Sequence, residues 1–274
     1  MSVLKFMKNN DVNVIVKTER DKPVLNKGES SKLVVESIAL SFGGQQVLKN
    51  VSLELLFGQI GLLTGENGCG KTTLLNVLSG FIKPDTGFAH LINKDKIIDI
   101  SSVQPDKLPH LGIARLWQDI RLFPSMTALE NVLTAAPSIG INPFMAIFQP
   151  IKVRQQEQVL IKKATNWLDM MGMKERADSS GDKLSLGQAK RVAIARLLQT
   201  GAEVLLLDEP LAGLDQDASA QLVKDLKILA QETGKALLIV EHKQDSIIPI
   251  ADYKYELIGG VINTVELRGK DGTA

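Results

Sequence analysis

Three short segments of this 274-residue sequence carry side chains whose type and spacing could do chemistry. The first runs from Gly65 to Thr72 and follows the pattern G-x-x-x-x-G-K-[ST], with an apolar strand-like run before it and a helical pattern after it. Glycines let a backbone wrap phosphate oxygens without side-chain clashes, while loop amides and a helix N-terminus aim positive dipoles at the same place. The expected nucleotide contacts are Gly65, Glu66, Asn67, Gly68, Cys69, Gly70, Lys71, Thr72 and Thr73, with Cys69 acting as a small filler rather than a redox centre. Lys71 would neutralise the β and γ phosphates, the Thr72 hydroxyl would ligate a magnesium ion bridging them, and Thr73 could hydrogen-bond an α-phosphate oxygen. In the second segment an apolar run from Val204 to Leu207 ends in Asp208 and Glu209 before Pro210. Two adjacent carboxylates can divide labour: Asp208 would hold the magnesium through its water shell, and Glu209 would polarise a water in line with the γ-phosphate. The third segment, Leu184 to Arg191, reads LSLGQAKR and precedes an apolar helical pattern, so Ser185 stands where a helix N-cap is expected. Taken singly, these are a glycine turn, a solvated acidic turn and a capped helix. In this order along one chain they imply hydrolysis of a nucleoside triphosphate.

The elements that must position these groups follow from hydrophobic periodicity. Short apolar runs between residues 33 and 63, separated by Gly43-Gly44 and Phe57-Gly58, predict strands joined by tight turns, the last leading into the glycine loop. Leu74, Val77 and Leu78 recur at helical spacing after the loop, and Gly80 stands near the end of that helix. From about residue 120 to 183 the character becomes mainly helical, opening with a capping-box pattern, Thr127 to Glu130. Leu160, Ala164, Trp167, Leu168 and Met171 share one predicted helical face of that insert, which places Trp167 in the core, and Gly172 is set to end the helix. Helix and strand then alternate: a helix from about Gly187, a strand at 203–207, a helix around 222–231 and a strand at 236–240. The near-continuous apolar strands predict a buried parallel sheet. Two further strands around Gly259-Gly260 predict a hairpin close.

Through these motifs the chain from Leu33 to Leu267 resembles the ABC (ATP-binding cassette) ATPase family, whose signature L-S-G-G-Q appears here with Leu186 in the third position. The resemblance implies an α/β P-loop NTPase cassette with a mostly parallel core sheet, an antiparallel β subdomain and a helical insert. It implies that Phe42 stacks on adenine and that Gln118 senses magnesium and γ-phosphate as a metal contact at the joint with the insert. It also implies that Asp215 lies on a loop crossing a dimer interface and that His242 is a switch near the γ-phosphate. Glu209, His242 and Gln118 are then the catalytic candidates, and Thr72, Gln118 and Asp208 the magnesium candidates. Two such subunits would pair head to tail, as a homo- or heterodimer, with Ser185, Gly187 and Gln188 of one closing on ATP held by the other. The segments Gly112–Gln118 and Arg121–Val132 look like the ATPase subunits of branched-chain amino-acid and urea importers, although Leu116-Trp117 and Leu186 depart from their pattern. Lipid- or lipopolysaccharide-exporting ATPases share much of the same sequence, and a soluble ABC ATPase acting as a switch in protein or cofactor assembly is the reading from another class.

Composition bounds the rest. A formal net charge of +1 sets up no global field towards nucleic acid, so no nucleic-acid partner is expected. The first residues form no uninterrupted apolar stretch, and no apolar run approaches the roughly 20 residues that cross a bilayer, so membrane association is expected through separate transmembrane permease subunits. The single cysteine excludes an internal disulfide and fits a cytoplasmic protein on the inner face of the cell membrane. His90 and His110 have no ligand neighbours at metal spacing and are left structural, with no zinc site. Residues 1–30 are expected to be a polar extension, 31–268 the cassette and 269–274 a tail.

Overall fold

The computed structural model describes residues 31–93, 96–137 and 150–267, so the polar extension, the tail and part of the helical insert lie outside the described residues. Strand β1 (Lys32–Phe42) pairs antiparallel with β2 (Gln45–Leu56) and with β4 (Thr86–Asn93), and β5 (Lys96–Asp99) completes a four-stranded antiparallel sheet of order β2-β1-β4-β5. A second sheet holds six strands in the order β10-β9-β3-β8-β7-β6. Its members are β3 (Ile60–Thr64), β6 (Ile113–Leu116), β7 (Val204–Asp208), β8 (Ala236–Val240) and the closing hairpin β9 (Tyr253–Ile258) and β10 (Val261–Glu266). All neighbours in it run parallel except β9 and β10.

Every residue of β3, β6, β7 and β8 is buried, as a sheet covered on both faces requires. Alternation along β7 shows how the covering is divided. Leu205 and Leu207 join the apolar cluster with Leu168, Val192 and Leu226, while Val204 and Leu206 join the one with Leu33, Leu55, Leu74 and Leu78. One face therefore packs against the helices of the insert and of the second half, and the other against α1 (Lys71–Leu78) and the antiparallel sheet.

The remaining helices are α2 (Leu108–Leu111), α3 (Ala128–Leu133), α4 (Pro150–Met170), α5 (Leu186–Gln199), α6 (Gln216–Thr233) and α7 (Gln244–Ile247). The capping box at Thr127 forms as predicted: its side chain accepts from the Glu130 amide while Glu130 reaches back to the Thr127 amide. On α4, Ala164, Leu168 and Met171 are fully buried, whereas Trp167 is half-buried against the same cluster, at the edge of the face the periodicity assigned to the core. Strands β4, β5 and β6 have no clear periodic signal. β4 carries Gly87 and a buried His90 whose imidazole is pushed down by burial and lifted less by Asp99 and Glu36, and β6 is only four residues long. Among the described residues no helix is long and apolar enough to cross a membrane.

Candidate functional site

The glycine loop joins β3 to α1, and its shape requires its glycines. Gly65 has φ of 148°, and a Cβ there would stand 2.5 Å from the Leu257 carbonyl oxygen and 2.7 Å from Cys69 Sγ. Lys71 folds back into the loop, donating from Nζ to the carbonyls of Gly65 and Glu66 at 2.8 Å each, and is 7% exposed. Helix α1 begins at Gly70 in a left-handed conformation with no side chain capping it, so the amides of its first turn are left to an outside acceptor. A cradle of backbone donors around a buried ammonium fits phosphate. Thr72 is exposed at the same end.

The acidic pair divides as its residues leave β7. Asp208, the last strand residue, is 7% exposed and accepts at Oδ2 from an Arg115 NH2 group at 2.7 Å, while Oδ1 takes no hydrogen bond from any described residue. Glu209 follows with φ of 48°, a left-handed conformation that costs a non-glycine residue about 1–3 kcal/mol and turns its carboxylate out of the strand line. Gln118 Nε2 donates to Glu209 Oε2 at 3.1 Å, and His242 Nε2 lies 3.2 Å from Oε1. A carboxylate only accepts, so this contact requires the tautomer protonated at Nε2. Three candidates far apart in sequence thus meet on one carboxylate.

Other charged residues, which no motif marks, hold this turn. Buried Lys190 donates to the carbonyls of Glu209 (3.2 Å) and Ala212 (2.6 Å); burial lowers its pKa, against the opposing pull of Glu241 and Glu209. Buried Glu241 accepts from the amides of Leu211 (2.5 Å) and His242 (3.1 Å). Arg115 is likewise pushed down by burial and held up by its bond to Asp208. Each sits within or beside a segment already singled out: Lys190 in LSLGQAKR, Glu241 before His242, Arg115 three residues before Gln118. Only the fold reveals that these charges point inward.

Ser185, Gly187 and Gln188 stand apart from this group, with no hydrogen bond to Lys71, Asp208 or Glu209. Ser185 caps α5 in a reciprocal capping box with Gln188, accepting from its amide at 3.3 Å while the Gln188 side chain accepts from the Ser185 amide at 3.0 Å. Asp215 caps α6 through the Ala218 amide at 2.8 Å. Leu186 is half exposed and lies over Gly213, where a Cβ would come within 3.0 Å of Leu186 Cδ2. Ser185→Ala is expected to cost about 1 kcal/mol of stability through the lost cap, seen as a lower thermal unfolding midpoint. An unchanged midpoint would show the cap to be energetically idle. Phe42 is exposed at the tip of the β1–β2 hairpin, whose Val47 approaches Gly70 within 3.1 Å of an added Cβ.

Residues 48–212, more than half of the chain and spanning all three motif segments, match the ABC transporter family. The chain belongs to that family. As an ABC ATPase it is similar to the high-affinity branched-chain amino acid transport ATP-binding protein LivG of Escherichia coli (strain K12), at 33% identity over 224 residues, 81% of this chain and 86% of LivG. Among solved structures, an ATP-binding cassette of an ABC transporter in its ADP conformation superposes with a TM-score of 0.72 at 30% identity, covering 87% of this chain and 92% of that one. A dimeric cassette in a post-hydrolysis state with ADP and Pi gives 0.68 at 27%, covering 86% and 99%. The fold is therefore the ABC cassette, and this ABC ATPase is a nucleotide-binding, ATP-hydrolysing subunit that powers transport. Cassettes of this family dimerise and work with transmembrane subunits.

Proposed function

We propose that this chain is the ATPase subunit of an importer for branched-chain amino acids, bound to the inner face of the cell membrane through separate permease subunits. The observation that carries the substrate class is the likeness to LivG along four-fifths of the chain. The cassette is assigned to residues 31–268, with its helical subdomain at about 120–183 between flanking segments 1–30 and 269–274.

In this reading Lys71 and the amides at the start of α1 bind the phosphates, Phe42 covers the adenine, and Thr72 and Asp208, with Gln118, face a magnesium ion. The donor set fits that ion. A hydroxyl and one carboxylate are hard oxygens, and magnesium is commonly held by one or two carboxylates plus the substrate's phosphates. When bound, the ion neutralises charge that develops on the phosphates. Glu209 draws a proton from the attacking water, with Gln118 and His242 holding its two oxygens in one orientation. The strained backbone at Glu209 keeps the carboxylate clear of β7.

That Ser185, Gly187 and Gln188 make no hydrogen bond to Lys71, Asp208 or Glu209 supports a head-to-tail dimer in which these residues, with Asp215, complete the partner's site. ATP bridging the two subunits favours the closed pair, and loss of the γ-phosphate shifts the population to open.

Purification of the tagged chain from detergent-solubilised native membranes is expected to recover a multi-span protein in stoichiometric amount. Deleting the gene is expected to abolish high-affinity uptake of radiolabelled leucine. Recovery of a membrane partner with leucine uptake unchanged would reject the substrate and keep the transporter. Recovery in soluble complexes alone would reject both.

A further inference from the structure

The Arg115 guanidinium sits at the crossing of the phosphate-loop helix, the acidic strand end and the segment leading to Gln118. One NH2 group donates to Asp208 Oδ2 at 2.7 Å, and the other to Asn76 Oδ1 at 2.7 Å and Ser79 Oγ at 3.1 Å, both on the last turn of α1 or its C-cap. Trp117 closes the outer side, with its ring centroid 3.9 Å from the guanidinium carbon and Phe81 edge-on to it at 5.0 Å. The Arg115 side chain is 3% exposed, while Trp117 and Phe81 are about half exposed. A planar fork held at both ends and covered on one face has little freedom to rotate.

We propose that Arg115 is a positioning residue for the metal-side carboxylate: by occupying Oδ2 of Asp208 it fixes Oδ1 as the oxygen left for magnesium, and Trp117 holds the guanidinium in that place. The inference rests on the reading of Asp208 as the magnesium carboxylate. Three features support it. Asp208 has this one ion-pair partner among the described residues, so its orientation depends on one side chain. The same guanidinium is anchored to the helix whose first residues, Lys71 and Thr72, face the phosphates, so the carboxylate and the loop move as one body. A lysine would keep the charge but offers a point donor rather than a fork, and could not span Asp208, Asn76 and Ser79 in one plane.

Partners that orient a metal ligand commonly change metal affinity by 10- to 100-fold when removed. The test compares, by calorimetry, the affinity of the full chain for a non-hydrolysable ATP analogue in magnesium and in EDTA, since the ratio isolates the metal's part of binding. Arg115→Lys is expected to lower this ratio about tenfold, with affinity in EDTA unchanged. Trp117→Leu, a change at an exposed ring, is expected to lower it several-fold and decides the matter if Arg115→Lys does not fold. Asp208→Asn serves as the reference and should remove most of the magnesium effect. If Asp208→Asn leaves the ratio intact, the reading of Asp208 fails and the proposal with it. If Asp208→Asn removes it while the folded Arg115→Lys chain keeps it, the positioning role alone is overturned. A ratio that rises in Arg115→Lys also overturns it, because the charge is kept and the fork would then be holding Asp208 away from the metal rather than orienting it towards it.

Discussion

Glu209→Gln is expected to bind ATP as the unaltered chain does and to release phosphate about 10²–10⁴-fold more slowly, the range attributed to a positioned general base. The substitution keeps the size and planarity of the side chain and leaves both neighbours a partner, since an amide can still accept from Gln118 and pair with a His242 tautomer. Only the ability to take a proton is lost. The backbone at this position is strained for either residue, so folding should change little. Filter binding of ATP beside a phosphate-release assay separates the two effects, and the variant should also accumulate as an ATP-bound dimer in size-exclusion chromatography. Turnover at the unaltered rate would remove Glu209 from the mechanism and leave its convergence with Gln118 and His242 a structural knot.

Lys71→Ala should fail one step earlier. The ammonium is held inside the phosphate cradle by two loop carbonyls, so its loss removes both the opposing charge for the phosphates and a tie across the loop. Truncating one partner of a buried charge pair costs about 2–5 kcal/mol, which is at least about thirtyfold in Kd. Calorimetry with ATP reads this directly. Because the loss is in binding, the Lys71→Ala defect should persist in EDTA, whereas the Arg115→Lys defect should vanish there. Affinity equal to that of the unaltered chain would mean that the loop amides alone hold the nucleotide.

The motif residues were legible because their chemistry is local. Glycines at Gly65 and Gly70, a lysine one residue on and a hydroxyl beside it are set by spacing along a few bonds, and the strand and helix on either side follow from apolar periodicity. The same holds for the capping box at Thr127 and the N-cap at Ser185, each closed within four residues. The parallel sheet was legible as well, because strands buried on both faces have no polar alternation to confuse with another element. Strands β4 and β6 escaped notice because one carries a buried histidine and a glycine and the other is four residues long, leaving too little pattern for period two to declare itself.

By itself, then, the sequence determined the phosphate loop, the acidic strand end, the signature helix and the class of fold, since each depends on near neighbours or on a repeating face. Tertiary structure alone decided that Gln118 and His242 both close on Glu209, that Asp208 gives one oxygen to Arg115, and that Lys190 and Glu241 brace the turn between them. A charged side chain in a sequence looks the same whether it will face water or be enclosed. What separates the two is burial among elements that the chain brings together from distant positions, where removing water makes a paired charge hold its partner tightly and an unpaired one costly.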